Sequence, residues 1–182
     1  MMLTAKDLEQ FQAQHPDHRM ELVDGEIIVM SPSGYESDEV ASRMSGKMFN
    51  WVDDRRLGRI TGSSAGFILP NSDTRAPDVS FVRAERLRQS PRGFAELAPD
   101  LMVEVKSPTD SVTKLRNKIQ QFLELGTQVG ILLNPEARTV EIYRSGQSTI
   151  VLQDGDILTI PDLFPGWQVA VEELWSPRFD EL

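Results

Sequence analysis

The segment Pro99-Asp100-Leu101-Met102-Val103-Glu104-Val105-Lys106-Ser107-Pro108 sets an acid and a base inside an apolar run bounded by Pro on both sides. Such a run is the pattern of a buried strand. Side chains alternate along a strand at about 3.3 Å per residue, so Met102, Glu104 and Lys106 share one face and Leu101, Val103 and Val105 the other. Glu104 and Lys106 then stand roughly 7 Å apart on the same side. Two charges in an apolar strand are costly unless each has a partner, and that cost is tolerated where a metal or an anion is bound. Upstream, Arg75-Ala76-Pro77-Asp78-Val79-Ser80-Phe81-Val82 puts an acid at the start of a second, β-branched and aromatic strand. The bland alternative is a structural Glu104–Lys106 ion pair in an α/β scaffold, which adds little stability.

Pro77-Asp78 followed by Glu104-Val105-Lys106 resembles the signature of the PD-(D/E)xK nucleases. The wider order is Glu21-Leu22-Val23-Asp24-Gly25-Glu26, then Ser31-Pro32-Ser33-Gly34, Pro77-Asp78, Glu104-Val105-Lys106-Ser107-Pro108, Lys118 and Gly126. It is similar to the bacterial Uma-type restriction endonuclease family, from about Thr4 to Trp175. The resemblance implies an α/β, restriction-endonuclease-like fold: a mixed sheet with flanking helices and antiparallel hairpin extensions. It also implies Mg²⁺-dependent hydrolysis of phosphodiester bonds, DNA being the expected substrate. Asp78, Glu104 and the main-chain carbonyl of Val105 would hold Mg²⁺ or a substituting Mn²⁺, hard ions that take oxygen ligands and keep some of their waters. Lys106 would orient or help deprotonate a water on that ion.

Two further residues enter through the same resemblance. Glu21, the acid of the Glu-Leu-Val-Asp-Gly pattern, is either a member of the acidic cluster or an exposed strand carboxylate. In the family a helix Lys at the position of Lys118, within Lys-x-x-x-Tyr, stands in when the Glu-x-Lys lysine is lost; here Phe122 replaces the Tyr. Lys118 therefore assists the site, contacts phosphate, or is a solvated helix lysine. Family members often carry a His at the start of the first long helix, where this chain has Ser37. Cutting both strands of a duplex needs two sites, so a homodimer is expected. The alternative is a catalytically inactive protein of this fold that binds nucleic acid or a protein partner.

The elements around these residues follow from pattern. Thr4 caps a helix over 5–14 with Leu8 and Phe11 on its buried edge. Met20 to Met30 is a hairpin turning at Asp24-Gly25. Val40, Met44, Met48 and Trp51 or Val52 give a long helix over 36–56. Residues 57–70 read as two short strands, 71–75 as a turn, and 83–97 as a short helix plus a mobile loop near the cleft. Thr109, Asp110 and Ser111 offer N-caps for a helix through about Leu125, with Val112, Leu115, Ile119 and Phe122 on its apolar stripe and Gly126 as its stop. Strands follow at 129–134 and 139–143, closing a β-α-β unit with the Glu104 strand. Residues 148–160 read as a hairpin about Asp154-Gly155, and Val169, Val171, Leu174 and Trp175 cap the core or form a dimer surface. The 182 residues form one domain, with its core at about 20–145 and a C-terminal hairpin and closing segment over 146–182.

Composition limits the alternatives. The chain has no Cys, which removes disulfides and thiolate zinc sites, and its two histidines, His15 and His18, sit in a polar stretch. No apolar run approaches the ~20 residues that span a bilayer, and the N-terminus lacks the apolar core of a signal peptide. A soluble, cytoplasmic protein with no membrane partner is expected. The net charge of −9 opposes tight binding to phosphate backbones. It is uneven, however: residues 150–182 hold seven acids against Arg178 alone. Lys106, Lys114, Arg116 and Lys118 meanwhile cluster after the Glu104 strand, offering a basic rim.

Overall fold

The computed structural model describes residues 2–180; Glu181, counted in the acidic tail, lies outside the described residues. Helix α1 (Ala5–Gln14) starts in a capping box, Thr4 receiving the Asp7 N–H while the Asp7 side chain receives that of Thr4. Its buried residue is Leu8; Phe11, expected beside it, is 42% exposed. Strands β1 (Arg19–Val23) and β2 (Glu26–Met30) form the expected hairpin. Asp24 and Gly25 both take positive φ, as a two-residue turn with the twist of its strands requires.

Helix α2 (Tyr35–Asp54) buries Val40, Met44, Met48 and Val52 on one stripe, each stabilising by about 1.5–3 kcal/mol. The two strands that follow, β3 (Gly58–Gly62) and β4 (Phe67–Ile68), enter different sheets. Strand β5 (Thr74–Arg75) lies where a plain turn is expected; it pairs with both β4 and β1, so two residues suffice to join the small sheet β2-β1-β5-β4.

The larger sheet is built from β3 with β6 (Val79–Arg83), β7 (Leu101–Val105), β8 (Val129–Asn134), β9 (Thr139–Tyr143) and β10 (Ile150–Gln153). Its order is β10-β9-β8-β7-β6-β3, and β7 with β8 is the parallel pair. That pair needs a crossover, supplied by α3 (Val112–Glu124), which Ser111 caps through the Lys114 N–H. The mixed sheet therefore carries α2 on the Leu101, Val103 and Val105 face and α3 on the Met102 and Leu132 face.

Two further expectations are corrected, and one open alternative is narrowed. Residues 84–97 contain no helix; they form turns tied to β4 by a Phe67–Ala95 bridge, and Leu87, Ser90 and Pro91 line a cavity with β3, away from Asp78 and Glu104. Residues 150–160 are not one hairpin. β10 joins the edge of the main sheet beside β9, while β11 (Ile157–Leu158) pairs with β12 (Val169–Ala170). Lastly, Val169, Val171, Leu174 and Trp175 are buried in the α2-side core, so they cap it.

Candidate active site

Glu104 is delivered by β7, whose alternation turns it to the α3 face with Met102. Helix α3 can come close there because β8 offers Gly130: a Cβ at that position would lie 2.4 Å from Ile119 Cγ2. The residue before Ile119 is Lys118, and this approach carries its Nζ to 2.9 Å from Glu104 Oε1, 3.3 Å from Glu21 Oε1 and 3.2 Å from the Ala76 carbonyl. Lys118 does not merely flank its apolar stripe; it is buried at 9% exposure.

Glu21 arrives from the small sheet. Asp73 receives the Asp24 N–H at 2.8 Å, Leu22 pairs with Thr74, and the next backbone N–H, that of Ala76, reaches Glu21 Oε1 at 2.9 Å. Arg75 Nε donates to Glu21 Oε2 at 3.3 Å. Burial acts to raise the Glu21 carboxyl, but Lys118, the Ala76 N–H and Arg75 together hold it below its ordinary range.

Asp78 sits immediately before β6 and accepts the Val105 N–H on Oδ2 at 2.8 Å. Burial raises its carboxyl despite that bond and the nearby charge of Lys118. The N–H of Lys106 points to β8, where Leu133 receives it, so the polar groups of Val105 point to β6. Continuing the Val79–Val103 register by two residues sets Pro77 opposite Val105. Proline has no N–H, which leaves the Val105 carbonyl without a ladder donor from that strand.

Glu104 is the least satisfied of the three acids. Its Oε1 is buried and makes no hydrogen bond, the Lys118 ammonium being at ion-pair distance but not aligned. Burial, opposed by Lys118 and reinforced by Asp78, pushes its carboxyl up to about 7. Lys118 is pulled down by burial, yet Glu104 and Glu21 outweigh this and hold it above the ordinary lysine range, so it is charged.

The sequence-predicted residues thus divide. Glu21, Asp78, Glu104, Val105 and Lys118 line one cleft of about 650 Å³. Lys106 does not line it: β7 ends at Val105, and Lys106 Nζ reaches Glu136 in the β8–β9 turn at 2.9 Å and the Ser107 carbonyl at 3.3 Å. Ser37 is buried at the head of α2, its Oγ 2.8 Å from Ser107 Oγ. The basic rim is mostly committed: Arg116 clasps Glu141, Lys106 pairs with Glu136, and Lys118 pairs with Glu21 and Glu104. Arg19 and Asp110 were not singled out by motif, yet both line the cleft. For Arg19 the signal was available, since two-residue alternation sets it on the face of Glu21.

A divalent ion fits this donor set on two observations: the buried, unbonded Glu104 oxygen and the carbonyl that faces Pro77. Among the described residues no group of three or more His, Cys, Asp or Glu side chains is disposed to hold a metal. The ligands offered are two carboxylates and a main-chain oxygen, with waters to complete the shell, as Mg²⁺ prefers.

The site thus belongs to an α/β fold, a mixed sheet with a helix on each face and acids at adjoining strand ends. A crystal structure from Anabaena variabilis ATCC 29413, described as "a putative nuclease belonging to DUF820", superposes with a TM-score of 0.76 at 24% identity, covering 85% of this chain and 88% of that one. The chain belongs to the Uma2 family, described as "Putative restriction endonuclease", whose model matches residues 5–172. No curated protein matches it. Among the described residues no helix is long and apolar enough to cross a membrane.

Proposed function

We propose that this chain is a metal-dependent endonuclease that hydrolyses phosphodiester bonds, with DNA as substrate. The observation that carries the reading is the convergence of Asp78, Glu104, Glu21 and Lys118 in one cleft, together with membership of the Uma2 family. Asp78, Glu104 and the Val105 carbonyl would hold the ion. Bound Mg²⁺ supplies neutralisation of charge on the phosphate oxygens and a more acidic water.

The chain's own groups do the rest. Glu21, at 3.3 Å, holds the Lys118 ammonium that stands 2.9 Å from Glu104. Lys118, held charged, spends two N–H donors on Glu21 and the Ala76 carbonyl, and it offers the third to the attacking water or to a phosphate oxygen beside Glu104, not acting as a base. This assigns to Lys118 the water-positioning role that the Glu-x-Lys motif gives to Lys106, because Lys106 is engaged by Glu136 outside the cleft. Cutting a duplex requires two such sites, hence a homodimer.

Supercoiled-plasmid nicking with Mg²⁺ tests the reading, and calorimetry with Mn²⁺ tests the ion site. Wild type should nick and bind, and Asp78→Ala should do neither. A wild type that binds the ion and DNA without nicking would favour the inactive, nucleic-acid-binding alternative, which the replacement of the family His by Ser37 supports.

A further inference from the structure

Of the four cations that line the cleft, Arg75 and Lys118 are engaged and, among the described residues, Arg19 and Lys114 are not. Arg75 bonds Glu21 and Gln121, and Lys118 has three oxygens around it. Arg19, half-buried at the start of β1, makes no side-chain hydrogen bond and no ion pair among the described residues, and its Nε is buried. A guanidinium carries five N–H donors in a fixed fork, and one left buried and unbonded costs free energy. A planar, two-oxygen anion satisfies that fork.

Its place is as telling as its lack of partners. Arg19 lines the Asp78–Glu104 cleft and also an adjoining cavity of about 360 Å³ bounded by Gln12, His18, Ser64 and Thr74. It therefore stands where a strand leaving the acids would pass from one hollow into the other. Its charge already acts on Asp78, but Asp78 spends Oδ2 on the Val105 N–H and forms no ion pair with it. Lys114 is the other unpaired cation of the cleft, and it is an exposed one.

We propose that Arg19 is the phosphate-binding residue of the site, taking the non-bridging oxygens of the substrate strand beside Asp78 in a two-pronged contact. This deepens the nuclease reading and rests on it. An Arg suits the task better than a Lys because its fork matches two oxygens at once.

The test is anisotropy of a fluorescein-labelled oligodeoxynucleotide titrated with wild type, Arg19→Gln and Arg19→Lys, in Ca²⁺ to hold back cleavage, at several salt concentrations. Plasmid nicking in Mg²⁺ and thermal unfolding run in parallel. Arg19→Gln should raise Kd about 10- to 100-fold, the loss of charged hydrogen bonds, and reduce the salt slope by about one. Arg19→Lys should keep the slope and recover part of the affinity, and neither should lower the unfolding midpoint. The proposal is overturned if Arg19→Gln binds with wild-type Kd and slope, or if it weakens binding only in step with a lowered midpoint and an unchanged slope. If wild type binds and nicks and Arg19→Gln does so equally, this inference alone falls. A wild type that neither binds nor nicks takes down the nuclease reading and this inference with it.

Discussion

Strand β7 has a buried carboxyl at each end, and the protein treats the two oppositely. Asp100, just before the strand and fully buried, accepts the Arg83 N–H at 2.9 Å on one oxygen and the Gln128 amide at 3.2 Å on the other, with the Arg86 guanidinium at an ion-pair distance of 2.9 Å. Glu104, near the other end, has one cation beside it and an oxygen with no hydrogen bond. A buried acid with a hydrogen bond on each oxygen is part of the scaffold. A buried acid left short, in a cleft and next to a second such acid, is poised to receive something. Burial alone does not separate these cases; satisfaction does.

That contrast can be broken in four ways. Glu104→Gln should lower nicking by about 10³-fold, the scale of removing a group that holds charge in a reaction, while shifting stability by under about 1 kcal/mol, because the amide removes an under-bonded buried charge. A large loss of stability in a urea titration would instead make Glu104 a scaffold residue like Asp100. For Asp100→Ala the order reverses. Stability should drop by about 3 kcal/mol, from a broken buried pair and two orphaned donors, and nicking measured on the folded fraction should persist.

The lysines sharpen the same comparison. Lys118→Met should cut nicking by about 100-fold, on the scale of one positioned proton donor, whereas Lys106→Met should stay within about threefold, since its partner Glu136 is 80% exposed and such pairs contribute about 0–1 kcal/mol. The opposite ranking would return the water-positioning role to Lys106. The smallest effect concerns pH. The Glu21 carboxyl titrates lower in the folded chain than its ordinary 4.5, so its contribution is present above about that pH and is lost as pH falls through the depressed value. Unfolding midpoints of Glu21→Gln between pH 5 and 3, on the order of the window this linkage sets, should therefore decline less steeply than those of wild type.

Much of this fold is local and could be read from the chain. The Thr4 cap, the Asp24-Gly25 hairpin, the α2 stripe and the end of α3 at Gly126 depend on neighbours within a few residues. The misread strands share one cause. Ile150–Gln153 and Ile157–Leu158 do look like two arms of a hairpin, but each finds a better partner far away, β9 and β12. The two-residue strand β5 is held by a partner on each side, β1 and β4.

The same division holds for the site. Sequence by itself determined that Asp78 opens one strand, that Glu104 lies buried in another, and that Glu21 heads a tight hairpin, because strand alternation and turn chemistry are local. It also set Arg19 on the face of Glu21. Which lysine meets the acids was decided only in three dimensions. A motif counts along the chain, whereas an ammonium goes where the packing of Ile119 on Gly130 and the end of β7 at Val105 allow it to go.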